Sequence, residues 1–169
     1  SYLARSRHMR VSPEQILIGS GAEYLYGLNI QVLGQGQIYA LEDPSYQKIE
    51  QVYRANGISI DKLRMGKSGI ETSELIRTRA RVLHVTPFNS YPSGITATAS
   101  KRAEYLRFAR ERHAMIIEDD FDSEFTLLSK PEDTLFSMEP EGHVIYMNSF
   151  SKTIAPSIRT GYLVLPPQM

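Results

Sequence analysis

The sequence predicts an α/β domain of three layers, in which a mainly parallel β-sheet lies between two layers of helices. Short apolar runs alternate with helical patterns along the chain, and this alternation is typical of parallel strands connected by helices. A chain of 169 residues with 41% hydrophobic side chains can bury one core of domain size. The sequence shows no repeat, low-complexity tract or internal linker, so we expect residues 1–169 to form a single domain.

Six short apolar runs predict the strands of the sheet. The first run leads into a turn, and the second stops at a proline, which cannot donate a hydrogen bond to a neighbouring strand. In chain order the runs are QILIGS, QIYALEDP, ARVLHVTP, AMIIEDD, HVIYMNSF and RTGYLVLP.

Three longer segments have the spacing of helices. The first two are AEYLYGLNIQVL and YQKIEQVYRANG, and a glycine closes the second. The third, SKRAEYLRFARERH, begins at a Ser100 cap and places Ala103, Leu106 and Ala109 on one face. The chain also begins in a helical pattern without a methionine and stops just after the last strand. We therefore expect it to be a piece of a longer protein.

The composition excludes several classes of function. Nineteen basic and nineteen acidic side chains cancel, so no excess charge marks the chain as a nucleic-acid or membrane-surface binder. The chain has no cysteine, which excludes disulfides and thiolate metal sites. The first residues lack the apolar segment of a secretory signal, and no run approaches the roughly 20 apolar residues of a membrane span. We expect a cytoplasmic protein.

The unusual residues fall just after the predicted strands, where ligands bind in parallel α/β sheets. The glycine-rich segment GSGAE, residues 19–23, joins the first strand to a helix. Its N–H groups could cradle a phosphate at the helix N-terminus, although such a turn is also common as plain backbone geometry. The segment EDPSY, residues 42–46, ends the second strand and delivers Tyr46, whose ring could serve in packing or in ligand binding.

Two further segments carry polar residues at strand ends. TPFNSYPSG, residues 86–94, is a loop rich in proline and glycine that is too elaborate for a bare connection. IIEDDFDSEF, residues 116–125, places several carboxylates at the end of an apolar strand, where a cationic partner is expected. A solvated acidic turn and a magnesium site of neighbouring aspartates are the alternatives.

The segment NSFSKTIAPSIRTGY, residues 148–162, surrounds Lys152 with hydroxyl groups and places Arg159 further along the same segment. A lysine at a strand end, an arginine, a phosphate-cradling turn and the strand-end Asp119 are the groups needed to hold pyridoxal phosphate. In that arrangement the lysine forms the Schiff base, and the aspartate pairs with the pyridinium nitrogen.

Other known motifs match less well. The SFSK sequence fits the S-x-x-K motif of penicillin-binding enzymes, but the Ser-Asp-Asn and Lys-Thr-Gly partners of that motif are missing. The GKS stretch at residues 66–68 has Asp61 where a phosphate loop needs its first glycine. GSGAEY fails as a dinucleotide-binding fingerprint, because Tyr24 stands at the position of the third glycine.

The same segments resemble those of a known family. SFSKTIAPSIRTGY is similar to the cofactor-lysine segment of class I/II aminotransferases of fold type I. YPSG followed by IIEDDFDSEF resembles more narrowly the aminotransferase-like domain of MocR-type regulators of the GntR family. The resemblance extends from SYLARSR through EQILIGSGAEYLYGL to the end of the chain. It implies the three-layer large-domain core of a fold-type-I aminotransferase.

The resemblance implies a role for each candidate residue. Lys152 would be the catalytic lysine that carries the cofactor, Asp119 would pair with the pyridinium nitrogen, and Tyr46 would stack on the ring. Phe121 stands where relatives have a tyrosine that donates to the cofactor's phenolic oxygen. Tyr91, which replaces an asparagine of true aminotransferases, could supply the missing hydroxyl. The phosphate would be surrounded by Gly21, Ala22, Ser149, Ser151 and Arg159.

The resemblance also implies a function. The chain would be the pyridoxal-phosphate-binding effector domain of a GntR/MocR-type transcriptional regulator, sensing an amine or a B6 vitamer through a Schiff base at Lys152. DNA would bind a winged helix-turn-helix domain that lies outside this chain. The small domain would also lie outside it, and the parent protein would be a homodimer. A free-standing class I/II aminotransferase is the alternative, and a basic winged-helix domain upstream of Ser1 would favour the regulator. Neither a metal nor turnover by this fragment is expected.

Overall fold

The computed structural model describes residues 11–121, 133–149 and 161–169, with the backbone alone at Phe121 and Ser149. A 3-10 turn at Pro13–Gln15 precedes the first strand. The helices are α1 (Ala22–Leu33), α2 (Gln47–Ala55), α3 (Thr72–Arg77), α4 (Ala99–Arg112) and α5 (Leu135–Met138). The strands are β1 (Ile16–Gly19), β2 (Ile38–Asp43), β3 (Ser59–Gly66), β4 (Gly69–Ile70), β5 (Val82–Val85), β6 (Met115–Phe121), β7 (Val144–Ser149) and β8 (Gly161–Val164).

The described strands form one sheet in the order β1-β8-β7-β6-β5-β2-β3-β4. Its centre is parallel, because β7, β6, β5, β2 and β3 pair with one another in the same direction. β8 runs antiparallel to both β7 and β1, and β4 runs antiparallel to β3. The prediction of a mainly parallel sheet is therefore confirmed. Because β1 shares the direction of β7, the carboxyl ends of β1, β2, β5, β6 and β7 lie at one edge.

Helices cover both faces of the sheet, as a parallel sheet requires. On one face, Leu25 of α1 and Tyr53 of α2 belong to the same apolar cluster as Leu41 of β2. On the other face, Leu106 of α4 belongs to a cluster with Leu83 of β5. Alternate residues of a strand face opposite layers, so polar residues near the strand ends divide between the two faces as well. Among the helices described, none is long and apolar enough to cross a membrane.

The predicted start of α4 is wrong by two residues. Thr98, rather than Ser100, caps the helix, since its hydroxyl oxygen accepts a hydrogen bond of 3.1 Å from the N–H three residues further on. The predicted apolar face is correct only in part. Leu106 and Ala109 are buried, whereas Ala103 is exposed, because the aromatic residues of the helix set its buried stripe.

The apolar pattern gave no signal for β3, β4, α3 and α5. β3 is largely polar and lies near the edge of the sheet, where Asp61 accepts hydrogen bonds from Arg77 at 3.0 Å and from Thr78 at 2.6 Å. Gly66 pairs with Gly69 across β3 and β4. The GKS stretch that resembles a phosphate loop is therefore part of a β-hairpin turn.

Candidate functional site

The glycine-rich segment after β1 forms the start of α1, as the sequence predicts. Gly21 is the cap residue, with φ 94° and ψ 168°, a conformation with positive φ that favours glycine. Because this cap residue has no side chain to bond them, the N–H groups at the start of the helix, beginning with Ala22, can bind an anion. This turn lies at the edge of the sheet where the parallel strands end.

Asp119 lies at the carboxyl end of β6 and is only 4% exposed. Its Oδ2 atom is 2.9 Å from His84 Nε2, and His84 Nδ1 is 2.8 Å from the hydroxyl of Tyr53. The Asn29 side chain donates a further hydrogen bond of 3.2 Å to the same hydroxyl oxygen. A continuous chain of four buried polar side chains thus connects α1 to the strand-end carboxyl group.

The direction of these hydrogen bonds follows from Tyr53. Burial raises the pKa of Tyr53 well above its usual value, so its O–H remains protonated and is a donor. The hydroxyl oxygen already accepts from Asn29, and the proton is therefore assigned to the bond with His84 Nδ1. With Nδ1 as the acceptor, the ring donates from Nε2 to the Asp119 carboxyl group. The buried carboxyl group of Asp119 thus has a fixed donor behind it, and its chemistry suits a cationic group on a ligand.

Tyr26 connects this network to the first turn of α1. Its ring lies 5.5 Å from the His84 ring and 5.9 Å from the Tyr53 ring, centroid to centroid. Burial raises the pKa of Tyr26 above its usual range, and the nearby charge of Asp119 adds to this shift. The helix end that can bind an anion and the carboxyl group that favours a cation therefore belong to one packed unit.

Tyr46 and Tyr91 form an exposed aromatic pair at the same edge. Their ring centroids are 6.0 Å apart, the rings are inclined by 76°, and their exposed fractions are 44% and 64%. Tyr46 thus packs against Tyr91 while part of its ring stays exposed, and its role in ligand binding stays a prediction. The pair borders a cleft of about 430 Å³, whose other wall includes the ion pair of Lys62 with Glu50 at 3.0 Å.

Within β6, Glu118 and Asp120 have partners different from those of Asp119. Glu118 accepts hydrogen bonds from the N–H groups of Leu135 and Phe136 at 2.8 and 3.0 Å, which fixes the start of α5. Asp120 accepts a hydrogen bond from the Tyr146 hydroxyl. Both carboxyl groups thus accept hydrogen bonds from groups of the fold itself.

The magnesium alternative concerns residues 116–125, of which 122–125 lie outside the described residues, so it stays a hypothesis. Within residues 11–121, 133–149 and 161–169, the group that brings three candidate metal ligands within 4.8 Å of one another is Glu139, Glu141 and His143. It precedes β7 and so lies at the opposite edge of the sheet, and the Glu139 carboxylate already accepts a 2.9 Å hydrogen bond from the His143 N–H.

Several predicted site residues lie outside the described residues. Lys152, Ser151 and Arg159 belong to this group, and their roles stay predictions. The backbone of Ser149 pairs with Phe121 on one side and with Gly161 on the other. Ser149 therefore ends the strand beside Asp119's strand, at the predicted edge.

Sequence reasoning missed His84, Tyr53 and Asn29. A usable signal was present for His84, because a titratable residue interrupts the otherwise apolar run VLHV of a buried strand. Tyr53 and Asn29 follow the normal spacing of helix faces, and they gave no sign that their polar ends would meet.

Three-layer α/β domains with polar groups gathered where the parallel strands end bind their ligands at that edge. The family model described as aminotransferase class I and II matches residues 1–169. The chain belongs to that family.

Two similar relatives are described as regulators. The chain is 33% identical over 165 residues to the uncharacterized HTH-type transcriptional regulator YdeL of Bacillus subtilis, a match that covers 98% of this chain and 36% of that protein. It is 30% identical over 169 residues to the probable rhizopine catabolism regulatory protein MocR of Rhizobium meliloti, covering 99% of this chain and 34% of that protein. The chain thus spans about a third of the length of these curated relatives.

A solved enzyme structure is also similar. LysN, the α-aminoadipate aminotransferase of Thermus thermophilus, complexed with N-(5'-phosphopyridoxyl)-L-leucine, superposes with a TM-score of 0.86. The sequence identity is 28%, and the match covers 99% of this chain and 44% of that chain. The predicted fold class and the predicted family are confirmed together.

Proposed function

We propose that this chain is the pyridoxal-phosphate-binding, aminotransferase-like effector domain of a GntR/MocR-type transcriptional regulator. The observation that carries the proposal is the buried Asp119, which lies at the ligand edge of the sheet with His84 Nε2 2.9 Å from its carboxyl group. A carboxylate held in this way suits the protonated ring nitrogen of a pyridine. The similarity to two regulators favours sensing over metabolism as the role of the site.

The residues present fit the cofactor by the chemistry of their donor groups. Asp119 would bind the ring nitrogen, Tyr46 would stack on the ring, and Lys152 would bind the aldehyde carbon covalently. Gly21 and Ala22 would offer N–H groups to the phosphate, as helix N-termini do for anions. The same anion would be bound by Ser149, Ser151 and Arg159.

The bound cofactor supplies an electron-withdrawing ring and an electrophilic carbon. The chain's own residues prepare that chemistry. Asp119 would hold the proton on the ring nitrogen, and His84 would fix the carboxylate by donating from Nε2. Tyr53 would in turn fix the tautomer of His84 through Nδ1. The first turn of α1 would hold the phosphate end of the ligand at a constant distance from this proton.

The partners of the whole protein belong to the same proposal. The regulator would bind DNA through a winged helix-turn-helix domain, and it would read an amine or a B6 vitamer at the cofactor. The parent protein would be a homodimer in the cytoplasm. Residues 1–169 would be part of its large domain, with the DNA-binding domain and the small domain contributed by other segments of the gene product.

The similarity to LysN favours a second candidate, a free-standing class I/II aminotransferase. The two candidates differ in what the remainder of the gene product contains. A basic winged-helix domain of about 70 residues upstream of Ser1, able to bind DNA, supports the regulator. Amino-group transfer at a steady rate by a gene product without such a domain would replace the proposal with the enzyme.

Cofactor binding is tested by trapping. Pyridoxal phosphate added to the full-length gene product should give an imine absorption band, and borohydride reduction followed by peptide mass spectrometry should find the pyridoxyl group on Lys152. The Lys152→Ala variant should lose the trapped adduct, whereas Lys67→Ala, which removes an exposed lysine from the hairpin turn, should keep it. An adduct that survives Lys152→Ala unchanged would end the proposal.

A further inference from the structure

Glu42 is a buried carboxyl group to which the proposed function assigns no role. It lies one residue before the end of β2 and is 2% exposed. Its Oε1 atom accepts a hydrogen bond of 2.9 Å from the hydroxyl of Ser90, and the same atom accepts from the hydroxyl of Thr86. A single carboxyl oxygen of Glu42 thus binds two residues of the proline-rich loop that follows β5.

Ser90 is a buried residue at the base of that loop. Its side chain is fully buried, and its N–H donates a 2.9 Å hydrogen bond to the carbonyl of Ile95 on the far side of the loop. The carbonyl of Ser90 accepts from the N–H of Gly94. The next residue is the exposed Tyr91, so the anchor of Ser90 on Glu42 fixes the base from which the Tyr91 ring projects.

The other member of the aromatic pair is attached to the same strand as Glu42. Tyr46 follows the end of β2 and is the residue that caps α2. Glu42 therefore forms a polar contact between the segment that carries Tyr46 and the loop that carries Tyr91. The two rings meet at a centroid distance of 6.0 Å.

The position of Glu42 suits a fixed contact within the fold rather than direct contact with the ligand. Burial raises its pKa to about 7, although hydrogen bonds with Thr86 and Ser90 act in the opposite direction. The carboxyl group lies on the α4 side of the sheet, since it follows the buried Ala40 by two residues in β2. Asp119 and His84 lie on the other side, so Glu42 reaches the ligand edge through the loop.

We propose that Glu42 is a positioning residue that holds the Tyr91 ring against the Tyr46 ring. These two rings form the aromatic wall of the ligand site. The hydroxyls of Thr86 and Ser90 transmit its position to the loop. The identity of the ligand rests on the proposed function, because the wall would face the pyridoxal phosphate ring and the group attached to it. The contact itself is independent of that ligand.

A first experiment tests the contact without the cofactor, by hydrogen–deuterium exchange of the full-length gene product. Thr86→Val removes one hydroxyl at constant shape, and Thr86→Ser keeps it. Loss of one hydrogen bond should speed exchange in the peptide covering residues 86–98 by about fivefold, with α4 unchanged, whereas the serine variant should stay within about twofold of wild type. Equal exchange in the two variants would overturn the proposal.

Glu42→Leu and Glu42→Gln form a second matched pair. The amide oxygen of glutamine can still accept from both hydroxyls, so Glu42→Gln should leave exchange in the loop close to wild type, whereas Glu42→Leu should speed it. If Glu42→Leu does not fold, the Thr86 pair decides. Fast exchange in Glu42→Gln as well would contradict a role that depends on the acceptor oxygen.

A second experiment separates positioning from a general effect on stability. Ser90→Ala should raise the Kd of pyridoxal phosphate by about tenfold in the wild-type background, and by less than about twofold in the Tyr91→Ala background, because coupled residues are not additive. Equal factors in both backgrounds would refute a role through Tyr91. Failure of the wild type to bind pyridoxal phosphate would refute the proposed function instead, and the exchange experiments would still decide the role of Glu42.

Discussion

Replacement of the Glu42 carboxyl group by an amide should change how stability depends on pH. Burial raises the pKa of Glu42 from 4.5 to about 7 in the folded protein, whereas the unfolded chain keeps the ordinary value. Between these two pH values the folded state binds more protons than the unfolded state. The free energy of unfolding of the wild type therefore falls as the pH rises through this window.

The size of the effect follows from the two pKa values. The shift from 4.5 to about 7 corresponds, at about 1.4 kcal/mol per unit, to roughly 3 kcal/mol. This contribution is fully present below pH 4.5 and is lost above pH 7. The Glu42→Gln variant has no such proton to lose, so its free energy of unfolding should rise relative to wild type by up to this amount between pH 4.5 and pH 8.

Urea unfolding of both proteins side by side, at several pH values, measures this difference. The comparison with wild type removes the titration of all other groups that the two proteins share. Glu111→Gln is measured alongside as the matched control for removal of one carboxyl group, because Glu111 lies exposed on α4. A constant difference for Glu42→Gln would refute the reasoning, since it would mean that Glu42 titrates alike in the folded and unfolded chain.

Three further predictions concern the site and the fold. His84→Leu should raise the Kd of pyridoxal phosphate by about tenfold or more in a fluorescence titration, because a hydrogen bond to a charged group is worth about 1.5–3 kcal/mol. His84→Gln can still donate a hydrogen bond, so its Kd should rise less. Phe121→Tyr should lower the pKa of the cofactor's Schiff base by on the order of one unit in a spectroscopic titration. Tyr91→Phe should raise this pKa only if the Tyr91 hydroxyl already donates to the cofactor. Equal pKa values for wild type and Phe121→Tyr would contradict the prediction for Phe121. Thr98→Ala should lower the free energy of unfolding by about 1 kcal/mol through loss of the α4 cap, whereas Ser100→Ala should leave it nearly unchanged; the reverse order would restore the cap that the sequence predicts.

The central strands of the sheet could be predicted from the sequence, because strands that are buried on both faces consist of runs of apolar residues. β5 illustrates this, since all of its residues are buried, and the run ARVLHVTP predicts it directly. The edge of the sheet carries no such signal. β3 holds its place through contacts such as the one between Asp61 and Arg77, and ion pairs on a half-exposed strand have no period that distinguishes them from a loop.

The candidate site was predictable to a similar extent. Asp119 lies near the end of a strand, and Gly21 and Tyr46 follow soon after strands, so the rule that ligands bind at the carboxyl ends of parallel strands was enough to select them. Asn29 and Tyr53 support the site from two consecutive helices, 24 residues apart in the sequence. Their polar ends meet only because α1 and α2 pack on the same face, and a single sequence contains no record of that pairing.

The acidic run shows why position along a strand decides what a carboxyl group does. Neighbouring residues of β6 point to opposite faces, and Asp119 therefore faces α1 and α2, where His84 meets it. Glu118 and Asp120 face the opposite layer, where the start of α5 and the hydroxyl of Tyr146 bind them. A composition argument treats these three residues as one acidic cluster and predicts a cation or a solvated turn. The period of two places Asp119 on one face of the sheet and Glu118 and Asp120 on the other, so the role proposed for Asp119 does not extend to the carboxylates beside it.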